Sequence, residues 1–128
     1  MPKPVVQRAA QATRAGAIWF GSTGAAMAES LAVLAKDGIH LDQMRIRGFP
    51  FADEVAEFIE AHDHIFVVEQ NRDAQLKMML VNECGIDPQK LISVLHYDGN
   101  PLTERFVTRE ISEKARLFNV TPLRKAAG

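Results

Sequence analysis

The chain of 128 residues has little cysteine: Cys84 is its only one. One thiol excludes an intrachain disulfide, a cysteine-held iron–sulfur cluster and a cysteine-rich zinc site. The absence of a disulfide framework fits a reducing compartment, and we expect a cytoplasmic protein. We interpret Cys84 as a buried structural thiol, because no neighbouring base or cation is evident that would activate it.

The chain also lacks an excess of either charge. Fifteen Lys and Arg residues face sixteen Asp and Glu residues, for a net charge of -1, which predicts no nucleic-acid partner. No apolar stretch is long enough to span a bilayer, and the N-terminus lacks the apolar centre of a signal peptide, so we expect no membrane association. The length predicts about one domain with its own hydrophobic core. A chain of this length is short for an enzyme that carries out several steps on a cofactor.

Strand and helix patterns alternate along most of the chain. We interpret residues 1–15 as an arm or linker, residues 16–118 as one α/β domain and residues 119–128 as a frayed tail. Four strands joined by helical crossovers predict a three-layer α/β/α fold with a mostly parallel sheet. The predicted strands are 17–20, 43–47, 64–69 and 91–95, and the predicted helices are 25–36, 53–61, 74–84 and one capped by Thr103 with Val107, Ile111, Ala115 and Phe118 on its inner face.

The first strand ends in a turn that contains Gly21, Ser22 and Thr23. Backbone N–H groups and the dipole of the following helix make such a turn a candidate anion site. The turn is not a Walker A loop, because no Gly-Lys-Ser/Thr follows, and Phe20 stands where a nucleophile elbow requires glycine. A plain turn with Ser22 or Thr23 as the N-cap is favoured, and a phosphate or interface contact is the alternative.

Glu69, Gln70 and Asn71 lie at the carboxyl end of the most apolar strand. Open α/β sheets carry their functional loops at this edge. A carboxylate that directly follows buried residues must leave the sheet or find hydrogen-bond donors, because a buried unpaired charge is costly. Fixing the loop and capping the third helix is the favoured interpretation, and lining a site or contacting a subunit is the alternative.

Two further groups of polar residues have open interpretations. Arg45 and Arg47 flank Ile46, so strand alternation puts both on one side, where they pair within the domain or contact a neighbouring one. Histidines 62, 64 and 96 could suggest a metal site, but no carboxylate or cysteine completes a metal-binding spacing, and we predict none. We expect His62 to end the second helix and His40 to lie on a surface loop.

The sequence shows no nucleophile–base pair, no recognisable pair of catalytic carboxylates and no cofactor fingerprint. We therefore predict a docking or completing domain, with no catalytic, cofactor-binding or metal-ligating residue of its own.

Four motifs, taken together and in order, make residues 4–118 resemble the C-terminal domain of the alpha subunit of 2-oxoacid:ferredoxin (or flavodoxin) oxidoreductases, the 2-oxoglutarate type in particular. They are residues 19–23, 45–51, 67–76 and 97–103, which read WFGST, RIRGFPF, VVEQNRDAQL and YDGNPLT. The resemblance implies a transketolase C-terminal-like fold with a five-stranded mixed sheet, in which the segment around Val5 and Val6 would be the antiparallel edge strand.

The resemblance also implies the chemistry of the whole enzyme. Thiamine diphosphate, Mg²⁺ and an iron–sulfur cluster serve the oxidative decarboxylation of a 2-oxoacid, coenzyme A takes the acyl group, and ferredoxin or flavodoxin takes the electrons. The cofactors would lie largely in the beta subunit. The partners of this domain would be that subunit and the remaining alpha-subunit domains.

Two other functions are compatible with the same sequence. The chain could be a free-standing module that binds a small anionic ligand at Ser22 and Thr23. It could also be the C-terminal domain of another thiamine enzyme, of the transketolase or pyruvate dehydrogenase beta-chain type. The run Glu-Gln-Asn-Arg-Asp at residues 69–73 favours the oxidoreductase over the second of these.

Overall fold

A five-stranded sheet lies between two layers of helices. The computed structural model describes residues 2–21 and 23–120. The strands are β1 Val5–Gln7, β2 Ala15–Phe20, β3 Asp42–Ile46, β4 His64–Glu69 and β5 Leu91–Leu95; the helices are α1 Gly24–Lys36, α2 Asp53–Glu60, α3 Gln75–Cys84 and α4 Glu104–Leu117, with a single 3-10 turn at Pro88–Lys90. The predicted elements are confirmed, with boundaries shifted by one or two residues.

The order of the strands is β1-β3-β2-β4-β5. Strands β2 to β5 run parallel to one another, whereas β1 pairs antiparallel with β3 and forms the fifth strand. The predicted three-layer fold with a mostly parallel sheet is therefore confirmed. The chain moves from β2 outward to β3 and then returns to the other side of β2 to form β4, so the direction of growth reverses between β2 and β4.

Alternation along the central strands fills a separate core on each face of the sheet. Trp19 and Phe66 point to the face covered by α1 and α4, where Met27, Leu34 and Ile111 complete the packing. The other face, under α2 and α3, is filled by alternate residues of the same strands together with helix side chains, among them Ile18, Met44, Ile65, Val67, Phe58 and Leu80. A continuous apolar strand such as β4 is expected wherever both faces are covered.

Side-chain caps begin the 3-10 turn and the last helix, and the cap of the last helix by Thr103 is as predicted. Asp87 accepts a hydrogen bond from the Gln89 amide, and Thr103 accepts one from the Phe106 amide. Every helix in the described part of the chain is too short or too polar to traverse a bilayer.

The end of α4 differs from the prediction. Phe118, expected on the inner face, is 51% exposed and lies beyond the last helical residue. The chain instead turns at Asn119, whose φ is positive, and the Val120 amide donates to the Ala115 carbonyl while Val120 packs on the core. Residues 121–128 of the predicted tail lie outside the described residues.

Gly16 lies at the amino edge of the sheet, where three elements meet. A Cβ atom added there would lie 3.0 Å from the Ile65 Cδ1 atom and 3.1 Å from both the Asp42 carbonyl oxygen and the Phe58 ring. The absence of a side chain thus allows β2 to pack closely against β3, β4 and α2.

We predict that Gly16→Ala lowers the free energy of unfolding by about 1–3 kcal/mol, because the added methyl group overpacks this junction. Gly24→Ala is the matched control: nothing lies within 4 Å of its added Cβ, and the change favours α1. Urea denaturation of both variants measures the difference. Equal stability of the two variants would contradict the packing argument.

Candidate functional site

A cleft with a volume of about 350 Å³ opens at the carboxyl edge of the sheet. It lies between the ends of β2 and β4, where the direction of sheet growth reverses, which is the usual ligand-binding position in open α/β sheets. The lining residues come from the ends of three strands, from α3 and from the segment before α4: Phe20, Thr23, Phe49, Val68, Glu69, Gln70, Asn71, Gln75, Leu76, Met79 and Leu102.

The cleft brings together four of the predicted site residues. Thr23 contributes from the turn after β2, and Glu69, Gln70 and Asn71 contribute from the end of β4. Gly21 adjoins the cleft with φ +86°, a conformation that favours glycine, and its amide donates to the Ile46 carbonyl. Ser22 lies outside the described residues.

Glu69 is buried, and its carboxylate accepts three hydrogen bonds. Oε1 accepts from the Leu76 amide at 2.7 Å and from Asn71 Nδ2 at 2.9 Å, and Oε2 accepts from the Lys77 amide at 3.0 Å. The two amides belong to the first turn of α3, where amides have no partner within the helix and the helix dipole favours a negative charge. Glu69 therefore caps α3 from the end of β4, as the favoured interpretation predicted.

Asn71 completes the same cap. Its Oδ1 accepts from the Asp73 amide at 3.1 Å and from the Gln75 amide at 3.3 Å, while its Nδ2 donates to Glu69. The loop that these bonds hold contains Ala74 in the left-handed region, with φ 54° and ψ 46°. A non-glycine residue in that region is strained, so the network of Glu69 and Asn71 fixes a backbone that Ala74 alone would not favour.

The remaining polar side chains of the cleft make no hydrogen bond in the described structure. Thr23 is the N-cap residue of α1 but makes no side-chain cap, which corrects the capping expectation for this residue. The side chains of Gln70 and Gln75 are exposed and have no partner among the described residues. Because Glu69 is the only charged residue among the described residues of the lining, this part of the cleft presents neutral hydroxyl and amide groups beside apolar ones.

Aromatic side chains, which were not among the predicted site residues, form one wall of the cleft. The rings of Phe20 and Phe49 stack at a centroid distance of 5.0 Å with 11° between their planes, and Phe51 lies against Phe49 at 5.0 Å. Phe20 and Phe49 remain 40% and 46% exposed. The Phe-Pro-Phe motif after β3 was the available signal, since three aromatic residues at the carboxyl ends of adjacent parallel strands converge.

Arg45 and Arg47 do not line the cleft. Arg45 pairs in register with the buried Trp19, which puts it on the α1 side of the sheet, and Arg47 is exposed just beyond the end of β3. Among the described residues, neither arginine has a carboxylate within 4.0 Å. The ion pair within the domain is thus not found among the described residues, and contact with a neighbouring domain stays a prediction.

The histidines do not form a metal site in the described part of the chain, where no group of three metal-ligating residues is found. His62 follows α2, is 1% exposed and bonds Asp42, whereas His96 lies at the opposite edge of the sheet beside Asp98. The surface prediction for His40 is wrong in part, because the residue is half-buried and its Nδ1 atom is buried without a hydrogen-bond partner in the described structure.

Cys84 is half-buried at the end of α3 rather than fully buried. Its partial burial, and secondarily the nearby Glu83 carboxylate, raises the pKa of the thiol. A raised pKa disfavours the reactive thiolate, which supports a structural role.

Comparison with known proteins gives matches among solved structures, whereas no protein-family model and no curated protein matches the chain. A 2-oxoglutarate:ferredoxin oxidoreductase from Magnetococcus marinus, solved with 2-oxoglutarate, coenzyme A and succinyl-CoA bound, aligns over 89% of this chain with a TM-score of 0.76 and 22% identity. The alpha chain of a probable 2-oxoacid ferredoxin oxidoreductase from Thermoplasma acidophilum aligns over 91% of this chain with a TM-score of 0.57 and 24% identity.

The two neighbours differ in how much of their own length is matched. This chain covers 20% of the Magnetococcus chain and 97% of the Thermoplasma chain. The resemblance predicted from the four motifs is thus confirmed as a similarity of fold to structures of 2-oxoacid:ferredoxin oxidoreductases, at identities below 25%.

We predict that Glu69→Gln lowers the free energy of unfolding by about 2 kcal/mol, because a side-chain NH₂ would replace one acceptor oxygen and leave a first-turn amide of α3 unsatisfied. The matched control is Glu83→Gln, an exposed carboxylate near the other end of the same helix. Chemical denaturation measures both, and hydrogen exchange of the Leu76 and Lys77 amides locates the effect. An equal loss for the two variants would show that Glu69 does not cap α3.

Proposed function

We propose that the chain is the C-terminal domain of the alpha subunit of a thiamine-dependent 2-oxoacid:ferredoxin oxidoreductase of the 2-oxoglutarate type. In this proposal the domain is not catalytic and supports the assembly of the subunits that carry out oxidative decarboxylation with coenzyme A. Ferredoxin or flavodoxin accepts electrons from the whole enzyme. The transketolase C-terminal-like classification and a cytoplasmic location belong to the same proposal.

The observation that carries the proposal is the extent of the structural match. Nearly all of this chain aligns with one fifth of a much larger oxidoreductase chain, as expected of one module in a multidomain enzyme. The four sequence motifs point to the same family independently of the coordinates, and all four contribute residues to the cleft: the turn after β2, the Phe-Pro-Phe segment, the end of β4 and, through Leu102, the segment before α4.

The chemistry of the cleft supports a non-catalytic role. The Glu69 carboxylate is committed to α3 by three hydrogen bonds, so it is not free to act as an acid or base. A metal cluster has no suitable ligands among the described residues, and one cysteine in the whole chain does not fit an iron–sulfur cluster. We therefore place thiamine diphosphate, Mg²⁺ and the cluster on other parts of the parent enzyme.

We further propose that the carboxyl edge of the sheet faces the remaining alpha-subunit domains and the beta subunit. Exposed, stacked rings of Phe20 and Phe49 present apolar area that a partner would bury. The side-chain hydroxyl of Thr23 and the side-chain amides of Gln70 and Gln75, which have no partner among the described residues, offer hydrogen bonds at the same edge. Arg45 and Arg47, which have no carboxylate partner among the described residues, suit acidic groups on a partner.

The isolated chain should fold but show no 2-oxoacid-dependent dye reduction in the presence of thiamine diphosphate, Mg²⁺ and coenzyme A. Adding the beta subunit and the remaining alpha-subunit domains should produce that activity, and omitting this chain should remove it. Turnover by the isolated chain would contradict the non-catalytic role. Equal activity of the assembly with and without the chain would contradict the assignment to this enzyme.

Replacing both Arg45 and Arg47 by Ala should weaken the binding of the chain to those partner subunits by about tenfold or more, because a partner carboxylate would lose two cations. Isothermal titration calorimetry with the purified partners measures the change. The charge-matched control is Arg105→Ala plus Arg116→Ala on the exposed side of α4, which should leave binding unchanged. An equal loss in both double variants would assign the effect to net charge alone.

A further inference from the structure

The outer side of β5 leaves backbone groups open. Among the described residues, β5 is the last strand of the sheet and pairs with β4 alone. The His96 amide donates to the Glu69 carbonyl at 2.9 Å, which fixes the residues of β5 whose backbone groups point toward β4. Because these groups alternate along a strand, Val94 bonds β4, whereas Ser93 and Leu95 direct their N–H and C=O groups away from the sheet.

These outward backbone groups have no hydrogen-bond partner among the described residues. At the start of the strand, the Leu91 amide donates to the Pro88 carbonyl of the 3-10 turn, so that donor is already satisfied. The amides and carbonyls of Ser93 and Leu95 have no such contact in the described structure. A strand with a row of open N–H and C=O groups is a template on which another extended segment can pair.

A groove with a volume of about 660 Å³ follows the same side of the strand. Residues 91–93 of β5 form its inner side, Lys77 of α3 lies on one flank, and Lys114 and Phe118 from the end of α4 lie on the other. The flanks differ because α3 and α4 cover opposite faces of the sheet. We call this surface the β5 groove; it is separate from the cleft at the carboxyl edge.

The two flanks of the β5 groove offer different contacts. Lys77 is half-buried and has no carboxylate within 4.0 Å among the described residues, whereas Lys114 pairs with Glu110 at 2.8 Å. Phe118 is 51% exposed and presents an apolar ring. The described lining contains no acidic residue, so the flank of α3 carries an uncompensated cation and the flank of α4 carries apolar area.

Charge argues against a second copy of this chain as the occupant. Two β5 strands paired about a two-fold axis would bring two grooves with cationic linings together, and like charges across an interface are unfavourable. The other outer strand, β1, would bring no carboxylate either, because residues 2–14 contain no Asp or Glu. An acidic strand from a different protein matches the groove better.

We propose that the β5 groove binds an extended acidic segment of a partner protein, which pairs with β5 as an additional strand. Backbone hydrogen bonds to Ser93 and Leu95 provide affinity, and side chains that alternate between the two flanks provide specificity. Carboxylates of the segment contact Lys77 on one flank, and its apolar side chains cover Phe118 on the other. This interaction is independent of the proposed function, which uses the carboxyl edge of the sheet.

Amide hydrogen exchange of the full chain, measured by nuclear magnetic resonance with two synthetic heptapeptides, tests the proposal. Glutamate alternates with valine in the first peptide, and lysine replaces glutamate in the second. The first peptide, at about ten times its dissociation constant, should slow exchange of the Ser93 and Leu95 amides by about tenfold. The second should bind at least about tenfold more weakly, because its cations meet Lys77. Exchange of the Gly21 amide, which donates to Ile46 away from the groove, should not change.

Two variants separate strand pairing from general charge attraction. Lys77→Glu should reverse the preference, so that the lysine peptide binds more tightly than the glutamate peptide. Its control is Lys36→Glu, the same change of charge at an exposed position at the end of α1, which should keep the wild-type preference. Ser93→Pro removes an outward N–H group that the sheet does not use, and should abolish binding of the glutamate peptide while the fold persists.

The proposal is overturned if neither peptide slows exchange at Ser93 and Leu95, or if Lys77→Glu and Lys36→Glu weaken binding of the glutamate peptide equally. Slower exchange at higher protein concentration, without peptide, would identify a second copy as the occupant and overturn it too. So would slow exchange that is lost when residues 121–128 are removed, because the chain itself would then fill the groove. The wild-type comparison of the two peptides decides even if Ser93→Pro fails to fold.

Discussion

The buried carboxylate of Glu69 is the interaction on which the geometry of the cleft depends. A charge at the end of a strand covered on both faces requires donors, and the amides of Leu76 and Lys77 provide them from the start of α3. This requirement sets where α3 begins, holds Ala74 in a left-handed conformation and places Gln75, Leu76 and Met79 along one wall. The position of the wall that α3 contributes thus follows from the hydrogen bonds that the Glu69 carboxylate requires.

The two edges of the sheet are built on opposite principles. At the amino edge, Gly16 allows close packing, and the polar groups of Asp42, His62 and the N-terminal arm form hydrogen bonds with one another. At the carboxyl edge, Phe20 and Phe49 are left partly exposed, and several polar side chains have no partner in the described structure. A domain that closes one edge internally and leaves the other open is suited to docking through the open edge.

The sequence predicted most of the fold, because hydrophobic alternation and helix periodicity are local signals. It also indicated the role of Glu69, since a carboxylate next to Val68 has few alternatives to a helix cap. It missed the pairing of His62 with Asp42, twenty residues away, because nothing local in the sequence specifies which crossover brings two polar residues together. The stacking of Phe20 on Phe49 was missed for the same reason: it depends on the register of β2 and β3.

The balance of charge bears on how such a domain would recognise a partner. Net charge is close to zero, so long-range attraction would contribute little, and in the proposed assembly specificity would come from short-range contacts at the open edge. Apolar burial at Phe20 and Phe49 is favourable but non-directional, whereas Arg45 and Arg47 are directional and unpaired within the described residues. The rings would therefore contribute mainly to the affinity for a partner, and the arginines mainly to its orientation. A partner without acidic groups would bury the rings but would not make the orienting contacts.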